Sequence, residues 1–306
     1  MPIVELPGRG TVAYRWAGDL PETVVLINGS VFNYHQWDQQ ALPLLFRGLY
    51  GRCRFLQYDY VGVGGSSAKT APFSMLDLAD ELRDLLDALS VHRVHLLGIS
   101  KGSLVGQATL IRHPARVQSF CGLGNPNLLS EDSAQVFSTF QERLDALENL
   151  KELWPQRINR DSIVRVFNQV YVPAMFGKPY TNLSLAERPR ALLVRRMVTP
   201  ALEGTFIQTM VDLFSYYVND TSEEAPAFSQ GLPQVRGIPV LLLNSAADTT
   251  TPVYMSRELA QLLPEAELVE FEGVTHMGPM MLKKEAKPVF GQYVAFMVCE
   301  DVTRSP

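Results

Sequence analysis

The sequence predicts an α/β chain: a doubly wound, mostly parallel sheet with a helical subdomain inserted into it. Three observations predict it. Near-continuous apolar runs alternate with helical stripes along the first part of the chain. The strand signals then stop at about Ser130 and resume only at Ile238. A single pentapeptide, Gly98-Ile99-Ser100-Lys101-Gly102, sits where one apolar run gives way to a helical segment.

Taken in order, strands are expected over 11–16, 23–28, 54–59, 93–98 and 117–123. Their unbroken apolar character suits a parallel sheet covered on both faces. A helix is expected over 74–89, with Ser74 as its N-cap and Leu78, Leu82, Leu85, Leu86 and Leu89 on one face. Another runs over 101–113 and stops before Pro114. Beyond Gly124-Asn125-Pro126 only helical stripes appear: 132–150 with Val136, Phe140, Leu144 and Leu147, and 202–218 with Phe206, Met210, Phe214 and Tyr217. Strands return over 238–243 and 267–271, with helices over 254–263 and 284–299. A helical block of this length is too long for a loop and reads as a lid. The expected division is a core domain of residues 1–128 and 232–306, with a lid subdomain over 129–231. Part of the lid stripe, Phe206, Met210 and Phe214, is expected to line a substrate pocket.

A chain of 306 residues, 46% of them hydrophobic, has enough apolar surface for a large buried core. Its net charge of −5 offers none of the basic footprint that nucleic-acid binding requires. The opening residues, Met1-Pro2-Ile3-Val4-Glu5-Leu6-Pro7-Gly8, have neither a basic nor an apolar signal region. No apolar stretch approaches the ~20 residues of a membrane span. Cys53, Cys121 and Cys299 are scattered and read as buried thiols. Together these point to a cytoplasmic protein.

The pentapeptide is a G-x-S-x-G turn from strand to helix. Such a turn holds the serine in a strained bend, and its glycines allow strand and helix to approach closely. The helix start behind it aims free N–H groups and a positive dipole end at the same point. Ser100 is therefore the candidate nucleophile.

Among five histidines, His276 follows the 267–271 strand on a glycine-flanked loop, at the sheet edge that also carries Ser100. It is the candidate base. His92 and His95 point to opposite faces and make a poor metal pair, and no metal is expected. His113 reads as a cationic helix cap, and His35 remains a minor candidate for the base. The third member should be a strand-end carboxylate, and Asp248 lies just past the 238–243 strand. The order Ser100, Asp248, His276 is that of one nucleophile-elbow fold. An oxyanion hole would draw on the backbone N–H of Lys101 and on that of Ser30 or Val31, where Gly29 lets the chain turn.

With these motifs in place, the chain resembles the α/β-hydrolase fold superfamily over nearly its full length. The family's H-G segment with a later tryptophan appears as Asn28-Gly29 and Trp37, and its D-x-R-G-x-G-x-S turn as Asp59 to Ser66. The acid loop Asp248 to Pro252 and the G-x-x-H loop Gly273 to His276 complete the set. Three positions depart from the pattern. Asn28 replaces histidine and Val61 replaces arginine, which bears on substrate class. Lys101 stands where methionine, glutamine or tryptophan is frequent, its ammonium either bending to solvent or a helix-side partner, or meeting an anionic part of the substrate or lowering the local potential for the oxyanion. The N-G variant and the Asp248-Thr249-Thr250-Thr251 loop are also similar to the hydroxyacyl-transferring synthase of rhamnolipid biosynthesis.

The resemblance implies a serine hydrolase needing no cofactor, acting on a small-molecule acyl ester or thioester. An acyltransferase is the second reading, taking a (hydroxy)acyl group from an acyl carrier protein or coenzyme A thioester to an alcohol. A non-catalytic binding module of the same fold is the third. Arg188, Arg190, Arg195 and Arg196 could receive a carrier's acidic surface, although a solvated helix face is the plainer reading.

Overall fold

The computed structural model describes residues 1–69, 74–130, 132–138, 140–173 and 178–304, with the side chains of 134, 138 and 299–304, Cys299 among them, outside that description. Eight strands, β1 (Ile3–Leu6), β2 (Gly10–Ala17), β3 (Thr23–Ile27), β4 (Arg54–Asp59), β5 (Val94–Ile99), β6 (Val117–Leu123), β7 (Val240–Ser245) and β8 (Ala266–Phe271), form one sheet. Their order is β1-β2-β4-β3-β5-β6-β7-β8. The β1–β2 and β2–β4 pairs are antiparallel, and the rest are parallel. β1 was not legible in the sequence. It is a four-residue edge strand, mostly open to solvent, so it carries no apolar run.

The parallel strands alternate between two buried clusters, which is why their apolar runs are unbroken. Helix α1 (Ala41–Gly48) packs on one face and helix α2 (Met75–Ala88) on the other. On the α2 face, Val25 and Ile27 of β3 join Leu96 of β5 and the Leu78–Leu82–Leu85 stripe of α2. Val24 and Leu26 join Leu97, Ile99, Leu45, Phe290 and Tyr293 on the other. Ser74 caps α2 as expected, its side chain accepting from the Asp77 N–H at 3.2 Å.

Strand order reverses between β3 and β5, whose Ile27 and Gly98 are paired. A crevice opens at the carboxyl ends of strands at such a switch point. The loop after β3 carries Gly29 and Ser30, and β5 ends at Ser100, so both arrive at that crevice.

Between β6 and β7 the chain is helical, and among the described residues of 129–231 the only strand-like pairing is one bridge between Arg157 and Phe206. The helix expected over 132–150 is two helices, Ser133–Ser138 and Gln141–Glu148. The helix expected over 202–218 is also broken. A helix over Glu187–Leu202 ends there, Gly204 turns the chain at φ 83°, and a new helix runs over Ile207–Ser215. A Cβ at Gly204 would meet the Gly64 carbonyl oxygen at 2.6 Å, so contact with the core forces the break. Arg188, Arg190 and Arg196 are exposed.

This junction fastens the helical insert to the core. Asn33 donates through Nδ2 to the Pro200 and Glu203 carbonyls, each at 2.9 Å, and Thr205 Oγ1 donates to the Val31 carbonyl at 3.0 Å. Arg157 donates to the carbonyls of Gly64, Ser66 and Gly204. At a second point, the buried Glu224 of the insert accepts from the N–H groups of Met75 and Leu76, both at 2.9 Å. A carboxylate there meets the positive end of α2 and satisfies its orphan donors.

Candidate active site

Ser100 occupies φ 54°, ψ −120°, a conformation that costs a non-glycine residue energy. Both neighbouring glycines are required. A Cβ at Gly98 would lie 2.2 Å from the Gly102 carbonyl oxygen, and one at Gly102 would lie 2.2 Å from that of Ile27. The serine is thus held by β5, by helix α3 (Lys101–Arg112) and by β3 together. Its own N–H donates to the Leu123 carbonyl at 2.9 Å.

His276 Nδ1 and Asp248 Oδ2 lie 2.7 Å apart. Asp248 also accepts from the N–H groups of Thr250 and Thr251 and from Thr251 Oγ1, each at 2.9 Å. Burial would push this carboxyl up, but the facing His276 and the Thr251 donors outweigh it and hold it below the usual range. The carboxylate is therefore ionised, fully hydrogen-bonded and fixed. With Nδ1 committed to Asp248, the other ring nitrogen of His276 is left for a substrate-side proton.

Two residues the sequence reading passed over brace this pair. Gly124, at φ 58°, ends β6 beside it, and a Cβ there would stand 3.1 Å from Asp248 Oδ2, His276 Nδ1 and Thr251 Oγ1 alike. Glu285 Oε2 accepts from the Thr275 N–H at 2.7 Å and from Thr275 Oγ1 at 3.0 Å, anchoring the loop that carries His276. A buried glutamate at the start of a helix has no sequence signal that separates it from a surface one.

Ser100, Ser30, Gln36 and His276 line one cavity of about 380 Å³. Its other wall belongs to the insert: Phe140, Arg143, Phe167, Tyr171, Val198 and Phe214. Of the expected substrate-binding residues, Phe214 is on this wall. Met210 is fully buried without lining it, and Phe206 packs against the Arg157 guanidinium, 4.0 Å from its ring centre. Of the two expected loop donors, Ser30 lines the cavity while Val31 is buried away from it.

The departures from the family pattern also have structural accounts. Asn28 is buried, donates to the Tyr58 carbonyl at 2.7 Å and accepts from Trp37 Nε1 at 2.8 Å. It holds the turn and does not touch the cavity. Val61 gives its N–H to the buried Glu81 carboxylate at 2.9 Å. Lys101 neither bends to solvent nor lines the cavity. Its side chain is fully buried, with Nζ 3.1 Å from the centre of the Tyr60 ring and no hydrogen-bond acceptor among the described residues. Burial pulls its pKa well below the ordinary lysine value. Its backbone N–H stands in the first helical turn, where no intrahelical acceptor exists.

The other histidines lie elsewhere. His35 pairs with Asp38 and His113 with Asp80, both at 2.7 Å. His95 is buried beside Ser119, and His92 is exposed.

The chain matches the alpha/beta hydrolase fold family over residues 22–280 and belongs to it. It is an enzyme of that superfamily. It is 26% identical over 252 residues to a putative carbamate hydrolase RutD of Caulobacter sp. (strain K31), covering 81% of each chain. To the protein of the same name from Pantoea ananatis it is 33% identical over 117 residues, which is 38% of this chain and 41% of that one. The enol-lactonase of Burkholderia xenovorans LB400 superposes with a TM-score of 0.67 at 19% identity, covering 97% of this chain and all of the other. A thermophilic esterase of Thermogutta terrifontis gives 0.68 at 16%, covering 96% and 98%. Among the described residues no helix is long and apolar enough to cross a membrane.

Proposed function

We propose that this protein is a serine-dependent hydrolase that cleaves an acyl ester or thioester through an acyl-enzyme on Ser100. The observation that carries the reading is a strained serine elbow sharing one cavity with a histidine already bonded to a buried carboxylate. His276 takes the Ser100 proton as the hydroxyl attacks the acyl carbonyl, and Asp248 holds the imidazole in the useful tautomer. The oxyanion rests on the N–H groups of Lys101 and Ser30. His276 then protonates the leaving group, and water resolves the acyl-enzyme. The names of the relatives, a carbamate hydrolase, an enol-lactonase and an esterase, all describe acyl-carbon chemistry, which supports the reading. Residues 129–231 act as a lid on a core of 1–128 and 232–306, and their aromatic wall receives the acyl chain.

The test is labelling with a fluorophosphonate, followed by a panel of p-nitrophenyl esters and acyl-thioesters with and without an alcohol acceptor. Wild-type protein labels and Ser100→Ala does not. Hydrolysis improves from acetyl toward medium chains, by about 0.8 kcal/mol per buried methylene. Undiminished labelling of Ser100→Ala refutes the nucleophile, and faster transfer than hydrolysis reassigns the enzyme as an acyltransferase.

A further inference from the structure

Arg143 is the side chain on the cavity wall that the chemistry above leaves unused. It projects from the Gln141–Glu148 helix, and it forms no ion pair and no hydrogen bond with any described residue. Its Nε is sealed from solvent without an acceptor. Its guanidinium carbon lies 4.7 Å from the Phe140 ring centre and 5.9 Å from that of Phe214. Ring faces attract the charge but supply no full acceptor for its N–H donors. Other arginines here are provided for: Arg9 meets Asp77 and Asp84, Arg112 meets Asp80, and Arg257 meets Glu270.

Tyr171 lines the same wall, and its buried hydroxyl also lacks a partner among the described residues. Arg143 and Tyr171 are near enough that each shifts the other's ionisation. An unpaired buried donor costs about 1–3 kcal/mol, and more when charged, so Arg143 and Tyr171 on one wall call for an occupant that accepts from both. Gln36 Nε2, on the sheet side of the cavity, is a third such donor.

Resting on the serine-hydrolase reading, we propose that Arg143 and Tyr171 form a carboxylate-binding subsite, and that the natural substrate is an acyl ester or thioester whose acyl part carries a free carboxylate. One guanidinium and one neutral phenol match a monoanion: the guanidinium fork fits two carboxylate oxygens, and the net charge closes to zero. A phosphate dianion would leave one negative charge uncompensated in a largely apolar cavity. The aromatic rings of the same wall accommodate the methylenes between the carboxylate and the scissile carbonyl.

The test compares mono-p-nitrophenyl adipate with p-nitrophenyl hexanoate, which match in chain length and differ in the terminal carboxylate. Wild-type kcat/KM should favour the adipate ester by roughly tenfold or more, as a charge-assisted hydrogen bond of this kind allows. Arg143→Met should lower the adipate-to-hexanoate ratio by about 100-fold, Arg143→Lys should restore part of it, and Tyr171→Phe should lower it several-fold. A wild-type ratio of one or below, or a ratio unchanged in both Arg143→Met and Tyr171→Phe, overturns the proposal. Binding is read separately on Ser100→Ala, by thermal shift with monomethyl adipate against methyl hexanoate. A selective shift for the adipate, together with wild-type protein that fails to label with fluorophosphonate, would keep the subsite and reject the serine chemistry. The reverse result would keep the chemistry and reject the subsite.

Discussion

The two walls of the cavity are built on opposite terms. On the sheet side the groups around the serine elbow are held in place: Asp248 by His276, Thr250 and Thr251, and the loop of His276 by Glu285, with Gln36 Nε2 the exception among the described residues. On the helical side, Arg143 and Tyr171 present buried donors with no acceptor among the described residues. A preorganised wall needs no reorganisation as charge develops in a transition state, whereas an unsatisfied wall gains most from a bound ligand. The first arrangement suits chemistry and the second suits recognition. Substitutions on the sheet side should therefore damage turnover of every substrate, and those on the helical side should change which substrate is preferred.

The sharpest break of this contrast is Ser100→Ala, expected to lower kcat by about 10⁴–10⁶ on all esters while leaving the thermal transition nearly unmoved. Activity within tenfold of wild type would remove the chemistry from this wall. Asp248→Asn should cost about 10⁴, because an amide favours the wrong imidazole tautomer. A milder loss there, with a larger one at another strand-end carboxylate, would reassign the acid.

Gly124→Ala tests the bracing directly. The new methyl presses on Asp248, His276 and Thr251 from a backbone angle that alanine tolerates poorly. We expect kcat to fall about 10–100-fold with KM little changed, in line with sub-ångström misplacement of the proposed catalytic pair. An equal change in KM would instead make Gly124 part of the substrate wall.

Glu224→Ala separates attachment of the insert from both walls. It strips the acceptor from Met75 and Leu76 at the start of α2, and should lower stability by about 1–3 kcal/mol in a denaturant titration.

Lys101→Met is the smallest expected change and has the opposite sign. It removes a buried ammonium that lacks an acceptor, keeps the backbone N–H, and should raise stability on the order of 1 kcal/mol. The folded state holds this lysine's pKa below its unfolded value, so the unfolded chain binds the extra proton between the two. Stability of the wild type should therefore rise with pH toward about 10.4, the ordinary lysine value, and Lys101→Met should flatten that rise. Equal slopes for the two proteins would count against a cost from the buried charge.

By itself the sequence determined the strand order in the chain, the elbow and the loops bearing Asp248 and His276, because each has a local cause. Apolar runs come from strands buried on two faces, glycines from backbone approaches of a few ångströms, and the loops bearing Asp248 and His276 from the carboxyl ends of β7 and β8. Only the tertiary structure decided what long side chains do. Lys101 turns inward over Tyr60, Phe206 is taken by Arg157, Glu224 leaves solvent to hold N–H groups far away in the chain, and Glu285 does so for the loop before its own helix. Arg143 has the same helical spacing as a surface residue, yet it faces a cavity between two elements distant in sequence. Periodicity records which face of a helix is buried; it does not record which partner waits there, because that partner comes from another part of the chain.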